Sequence, residues 1–177
     1  MRSIRYLIVP GWHGSPDEHW QSHWRRTLPG SARVEQQDWL LPRREDWVAE
    51  LQRSIAAHAE PVILVAHSLG CITVAHWAAQ APAQLLQRVR GALLVAPADV
   101  ERSGCPEPLR NFAPIPRQPL PFASLLIGSD NDTAASAARA VEMGHAWGRE
   151  TTILAGAGHI KVASGHRRWE QGFASLS

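Results

Sequence analysis

The side chains best suited to do chemistry in this chain stand at the ends of apolar runs. Val62, Ile63, Leu64, Val65 and Ala66 form its most apolar run, and His67-Ser68-Leu69-Gly70 follows at once. A strand that ends on a serine and turns straight into a helix of small residues has the form G-x-S-x-G. That turn is so tight that the residues two before and two after the serine must be small. It lifts the hydroxyl over the sheet edge. Gly70 fills the second small position, and Ala66 stands at the first in place of glycine. A serine ahead of a helix also serves as an ordinary N-cap. Its place at the carboxyl end of a buried strand, where open α/β sheets bind ligands, favours the chemical role.

A hydroxyl is a poor nucleophile until a base takes its proton. Two later apolar runs supply candidates: Gly128-Ser129-Asp130-Asn131-Asp132-Thr133 follows 123–127, and Gly156-Ala157-Gly158-His159 follows 151–155. Serine, then acid, then histidine is the chain order of the α/β-hydrolase triad. His159 is preferred as base, because Gly156 and Gly158 let the backbone bend back over the sheet. His166 is the second candidate. Asp132, the last loop residue before an expected helix, is the preferred acid, with Asp130 and Asp99 left open. His19, His23, His58 and His76 read as helix residues of surface or core, and His145 as a residue near a helix end. Cys71, inside the helix after the elbow, is a weak rival nucleophile.

A tetrahedral intermediate needs N–H donors. Leu69 N–H, at a helix N-terminus, is one. Trp12 N–H is the expected second, from a loop where Gly11 and Gly14 permit close approach. Trp12, His13 and His67 are the expected substrate-binding side chains. The same loop lacks the glycine patterns that cradle phosphates.

These residues need a scaffold, and the apolar pattern provides one. Strands are expected at 5–10, 32–36 (a short edge), 62–66, 91–96, 123–127 and 151–155. Helices are expected at 17–28, with Ser15 as N-cap and Pro16 in the first position, and at 44–59, 69–81, 133–147 and 165–174. Such alternation gives an α/β sheet, mostly parallel, with helices on both faces. The stretch 99–121 carries Pro106, Pro108, Pro114, Pro116, Pro119 and Pro121. It reads as a long connection, either a rim over the site or a plain surface crossover.

With 177 residues, 45% hydrophobic and 19% charged, the chain reads as one globular domain over 1–177. Eighteen Lys+Arg against sixteen Asp+Glu leave a net charge of +2 without a basic stripe, so no nucleic-acid partner is expected. No apolar run approaches the ~18 residues of a membrane span, so no membrane partner is expected. The N-terminal run leads into Pro10-Gly11 and reads as a first strand, not a signal peptide. Cys71 and Cys105 form neither a disulfide framework nor a metal pair. The cytoplasm is the default location, and no metal or cofactor is expected. Of eight tryptophans, Trp20, Trp24, Trp47, Trp77, Trp147 and Trp169 read as core anchors. Trp12 and Trp39 are candidates for the pocket.

Six segments taken together carry a resemblance. They are Val9-Pro10-Gly11-Trp12-His13-Gly14-Ser15, Trp20-Gln21-Ser22-His23-Trp24, Ala66-His67-Ser68-Leu69-Gly70, Val95-Ala96-Pro97-Ala98-Asp99, Ser129-Asp130-Asn131-Asp132 and Gly158-His159. The chain resembles the small serine-hydrolase family of bacterial YdeN-like esterases, which also contains the vertebrate retinoblastoma-binding serine hydrolase. The resemblance implies a compact α/β-hydrolase fold of about six strands, without an N-terminal hairpin or a large cap domain. It also implies a Ser68–Asp132–His159 triad, although Thr133 stands where the family often has proline. The expected function is hydrolysis of small-molecule carboxylic esters through an acyl-enzyme on Ser68. The rival expectations are a protein-interaction module with a vestigial triad, its protein partner unknown, and an acyltransferase. Activity is expected to fall below roughly pH 6 as the base protonates.

Overall fold

Alternate residues of each strand face opposite sides, and here both sides are apolar. The computed structural model describes residues 3–148, 150–161, 164–169 and 172. Its strands are β1 (Arg5–Val9), β2 (Ser31–Arg33), β3 (Val62–His67), β4 (Val89–Val95), β5 (Ala123–Ser129) and β6 (Thr151–Leu154). Leu7, Val9, Leu64, Ala66, Leu94 and Leu126 point into one core. Ile8, Val65, Leu93, Val95 and Ile127, their neighbours in sequence, point into another. A sheet buried on both faces is what continuous apolar runs produce. The order is β2-β1-β3-β4-β5-β6, with every described pair parallel. The central strand β3 therefore has β1 on one side and β4 on the other.

Helix α1 (Trp20–Thr27) covers the second face, where Trp20 and Trp24 pack with Trp169. Helices α2 (Arg44–Ala56), α3 (Leu69–Gln80) and α5 (Ala137–Ala146) cover the first. In α2 the buried residues Trp47, Leu51 and Ile55 recur every four positions, the stripe of an amphipathic helix. Helix α3 is buried over almost its whole length and stops before Pro82. A short α4 (Ala83–Leu86), unforeseen from the sequence, follows it.

Several boundaries differ from the sequence reading. Ser15 does not cap α1; its Oγ donates to Gln21 Oε1 at 2.6 Å. The cap is His19, whose Nδ1 accepts the Gln21 N–H at 3.1 Å, so the helix starts at Trp20 rather than residue 17. Likewise α5 starts at Ala137, capped by Ser136, because Asp132 Oδ1 accepts Ala134 N–H at 2.8 Å and holds that stretch as a turn. The edge strand is shorter than 32–36 and lies at Ser31–Arg33. His58 lies beyond the end of α2. Within 99–121 a 3-10 helix forms at Glu107–Phe112, opened by Pro106 and anchored by buried Leu109 and Phe112. The helix expected over 165–174 falls mostly outside the described residues.

Candidate active site

The strand-to-helix turn after β3 puts Ser68 at φ 57°, ψ −121°, a conformation unusual for a residue with a side chain. Its surroundings hold it there. A Cβ on Gly70 would run into the Val9 carbonyl oxygen and come within 2.9 Å of Pro10 O, so α3 can meet β1 only through a glycine. A Cβ on Gly11 would lie 2.9 Å from Ser68 Cβ. The loop after β1 thus rests its backbone on the elbow. Ala66, the departure from the strict motif, is fully buried and accommodated.

Ser68 Oγ lies 2.7 Å from His159 Nε2. His159 Nδ1 lies 2.9 Å from both carboxylate oxygens of Asp132. A carboxylate only accepts, so Nδ1 carries the proton and Nε2 accepts from the serine hydroxyl. Asp132 is nearly enclosed, its side chain 2% exposed. The other two carboxylates are occupied elsewhere. Asp130 Oδ1 accepts Gly156 N–H at 2.8 Å. Asp99 is held by Arg139, with Nε to Oδ2 at 2.9 Å and Nη2 to Oδ1 at 3.1 Å. That pairing raises the Arg139 pKa. His166, the alternative base, has its Nδ1 against Ser164 Oγ at 3.2 Å and does not line the cavity.

The His159 loop is pinned residue by residue. Asn131 Oδ1 accepts Gly158 N–H at 2.6 Å, Trp20 Nε1 donates to Ile160 O at 2.9 Å, and His67 Nε2 donates to His159 O at 2.7 Å. Gly156, Gly158 and Ile160 all take positive φ, which turns the imidazole back toward the elbow. Two of these pins, Trp20 and Asn131, were not among the expected site residues. Asn131 is flanked by the two candidate acids, which is the nearest thing to a signal. Trp20 gives none, since an indole that anchors a loop 140 residues away looks like any core tryptophan.

His67 lines the cavity as expected, but its Nε2 is spent on the base loop, not free for a ligand. Burial, then the nearby His159, holds its pKa well below the ordinary histidine value. His19 caps α1 rather than lying within it; it is buried, lines the cavity and lies edge-on to His67 with ring centroids 4.8 Å apart. Burial lowers its pKa to about 3. With Nδ1 accepting from Gln21, the proton sits on Nε2, which finds no acceptor among the described residues. Gln21 itself is fully buried and donates to the Val9 and Val65 carbonyls at 3.2 and 3.0 Å, tying β1 to β3 just below the elbow.

The cavity above Ser68 measures about 660 Å³. Trp12, His13 and Gly14 form part of its wall. Trp12 is fixed by its Nε1 donating to Leu40 O at 2.9 Å. Trp39 packs against Gly14 and does not line the cavity. The proline-rich 99–121 connection supplies Arg102, Pro106 and Leu109, so it is a wall of the site rather than an idle crossover. Leu69 opens α3, and its amide has no acceptor within the helix. Cys71 is buried with Sγ toward Val95 O at 3.4 Å, and burial pushes its thiol pKa up, which leaves it inert. No group of residues suited to a metal occurs among the described residues, and none of their helices is long and apolar enough to cross a membrane.

Comparisons with known proteins bear on this arrangement. Residues 6–177 match the sequence profile of the family described as serine hydrolase. A solved structure from Pectobacterium atrosepticum, described as YdeN-like, is 34% identical with a TM-score of 0.85, covering 98% of this chain and 89% of its own. The ydeN gene product of Bacillus subtilis is 18% identical with a TM-score of 0.77, over 98% and 97% of the two chains. A thermophilic esterase from Thermogutta terrifontis shares the fold at 15% identity and a TM-score of 0.70, over 99% and 81%. No curated protein matches the sequence.

Proposed function

The chain belongs to the serine hydrolase family and has the α/β-hydrolase fold, and we propose that it cleaves carboxylic esters of small molecules through an acyl-enzyme on Ser68. The observation that carries this reading is the unbroken hydrogen-bonded line from Ser68 Oγ through His159 to Asp132, at 2.7 and 2.9 Å, on a serine held at positive φ.

Ser68 Oγ attacks the ester carbonyl carbon while its proton passes to His159 Nε2. The carbonyl π bond opens, and the resulting oxyanion is held by the N–H groups of Leu69 and Trp12. Asp132 keeps Nδ1 protonated and steadies the imidazolium. The carbonyl then re-forms, the C–O bond to the alcohol breaks, and His159 hands its proton to the leaving oxygen. Water next attacks the acyl carbon and gives a proton to His159. The acid leaves as Ser68 regains its proton.

A fluorophosphonate probe tests the nucleophile. The wild type is expected to be labelled, and Ser68→Ala not; ester turnover in the same variant should fall on the order of 10⁶-fold. No labelling of the wild type would favour the protein-interaction module. Turnover that rises with added alcohol while acid release falls would favour acyl transfer to that alcohol.

A further inference from the structure

We propose that the esters this site prefers carry a negative charge, a carboxylate on the acyl or the alcohol part, held by Arg102 with Lys161 beside it; this rests on the ester-cleaving reading above. The cavity lining contains Arg102 and Lys161 and no carboxylate. The carboxylates close by in sequence are accounted for. Asp99 is taken by Arg139, Glu101 by Arg117 and Arg139, Glu107 by Arg110, Glu18 by Arg167, and Asp132 by His159. Asp17, next to Pro16, is exposed and lies outside the lining. Among the described residues, Arg102 and Lys161 have no acidic partner.

Arg102 is also fixed in place. Its Nη1 donates to Asp99 O at 2.9 Å and to Ala134 O at 3.0 Å, where the loops after β4 and β5 meet. Those two carbonyls occupy one nitrogen of the guanidinium. Carbonyl oxygens do not neutralise its charge, and the remaining N–H groups keep the fork geometry that suits a carboxylate. The neighbouring wall is apolar: Ala98, Pro106 and Leu109. A half-buried cation over such a wall attracts an anion more strongly than one in open water. Lys161 follows the His159 loop and is exposed; its charge lies near enough to His19 to help hold that ring neutral. An anion entering the cavity therefore meets two positive charges without an acidic partner, and no carboxylate on the cavity wall; the Asp132 charge lies behind the His159 ring. A neutral ester gains only the apolar wall.

Two matched ester pairs test this and separate the two positions of the charge. Mono-p-nitrophenyl glutarate against p-nitrophenyl pentanoate places the carboxylate on the acyl part. 4-Carboxyphenyl acetate against 4-carbamoylphenyl acetate places it on the alcohol. Ser68→Ala supplies the background rate. The readout is the anionic-to-neutral ratio of kcat/KM, which a general loss of activity does not move. For at least one pair we expect a ratio of about ten, the worth of one charge-assisted hydrogen bond. It should shrink in Arg102→Met, in Lys161→Glu and at high salt. Ratios at or below one for both pairs, or ratios unmoved by both substitutions, overturn the proposal. Lys161→Glu changes an exposed side chain and keeps the test open if Arg102→Met does not fold. If none of the four esters is turned over, the ester reading itself fails. Calorimetric titration with glutarate then decides the anion site alone: binding lost in Lys161→Glu upholds it, and no binding by the wild type overturns it.

Discussion

Asp132, Asp130 and Asp99 all stand at strand ends, and only their partners tell them apart. Asp132→Asn should drop turnover by about 10⁴-fold, because an amide no longer fixes the imidazole tautomer. Asp130→Asn should cost far less, since the amide oxygen still accepts Gly156 N–H. Parallel kcat measurements on the two variants check this; a larger loss in Asp130→Asn than in Asp132→Asn would move the acid to residue 130. His67 makes a subtler case. It precedes the nucleophile in the chain and donates to the backbone of the base, so one side chain couples both. His67→Phe keeps the bulk and removes the donor. We expect kcat to fall roughly 10- to 100-fold, the scale of a misplaced catalytic group. KM should change little and His67→Gln should recover part of the rate. A KM-dominated effect would return His67 to substrate binding.

At the scale of elements, the site depends on how closely three backbones meet. Helix α3 crosses β1 at Gly70, and the loop after β1 touches the elbow at Gly11. Gly70→Ala would drive a methyl into the Val9 and Pro10 carbonyls, which belong to backbone and cannot swing aside. Overpacking of that kind typically costs 1–3 kcal/mol, and the rigid contact here should put it at about 3 kcal/mol or more. Urea denaturation of Gly70→Ala against wild type measures it. A change under about 0.5 kcal/mol, the range of ordinary surface substitutions, would mean that α3 can shift and that the elbow is less constrained than its contacts indicate.

For the whole molecule, the notable choice is to bury neutral histidines beside the reaction centre. His19 has its pKa lowered to about 3 by burial, and His67 is lowered well below the ordinary value for the same reason. His76 and His166 shift in the same direction, also through burial. In the unfolded chain these rings protonate near the usual histidine pKa, about 6.5. The unfolded state therefore binds more protons than the folded one below that value. Stability is complete above about pH 6.5 and falls as the pH drops toward the folded pKa values. Each such ring contributes a slope approaching about 1.4 kcal/mol per pH unit, so His19 and His67 together approach about 2.7 kcal/mol per unit. Thermal melts from pH 7.5 to 4.5 should show a steep loss on the acid side. His19→Asn, which can still cap α1, should flatten it. A pH-independent Tm over that range would contradict the burial of these rings as neutral species.

The order of residues is enough to set the periodic apolar runs, and through them the sheet and the ends of its strands. Ser68, Asp132 and His159 could be read because each follows such a run within a few residues, and Gly70 because a tight turn demands a small neighbour. Local order also made the close approach at Gly11 legible. Partnership across long separations emerges only in the folded chain. Which aspartate reaches His159, that His67 and Trp20 hold the base loop, that Ser15 yields the cap of α1 to His19, and that Arg102 faces the cavity without an acid are all such matters. They depend on where side chains from different strands converge in space. Periodicity records which face a residue takes, whereas a hydrogen bond between residues 20 and 160 leaves no trace in the spacing of either.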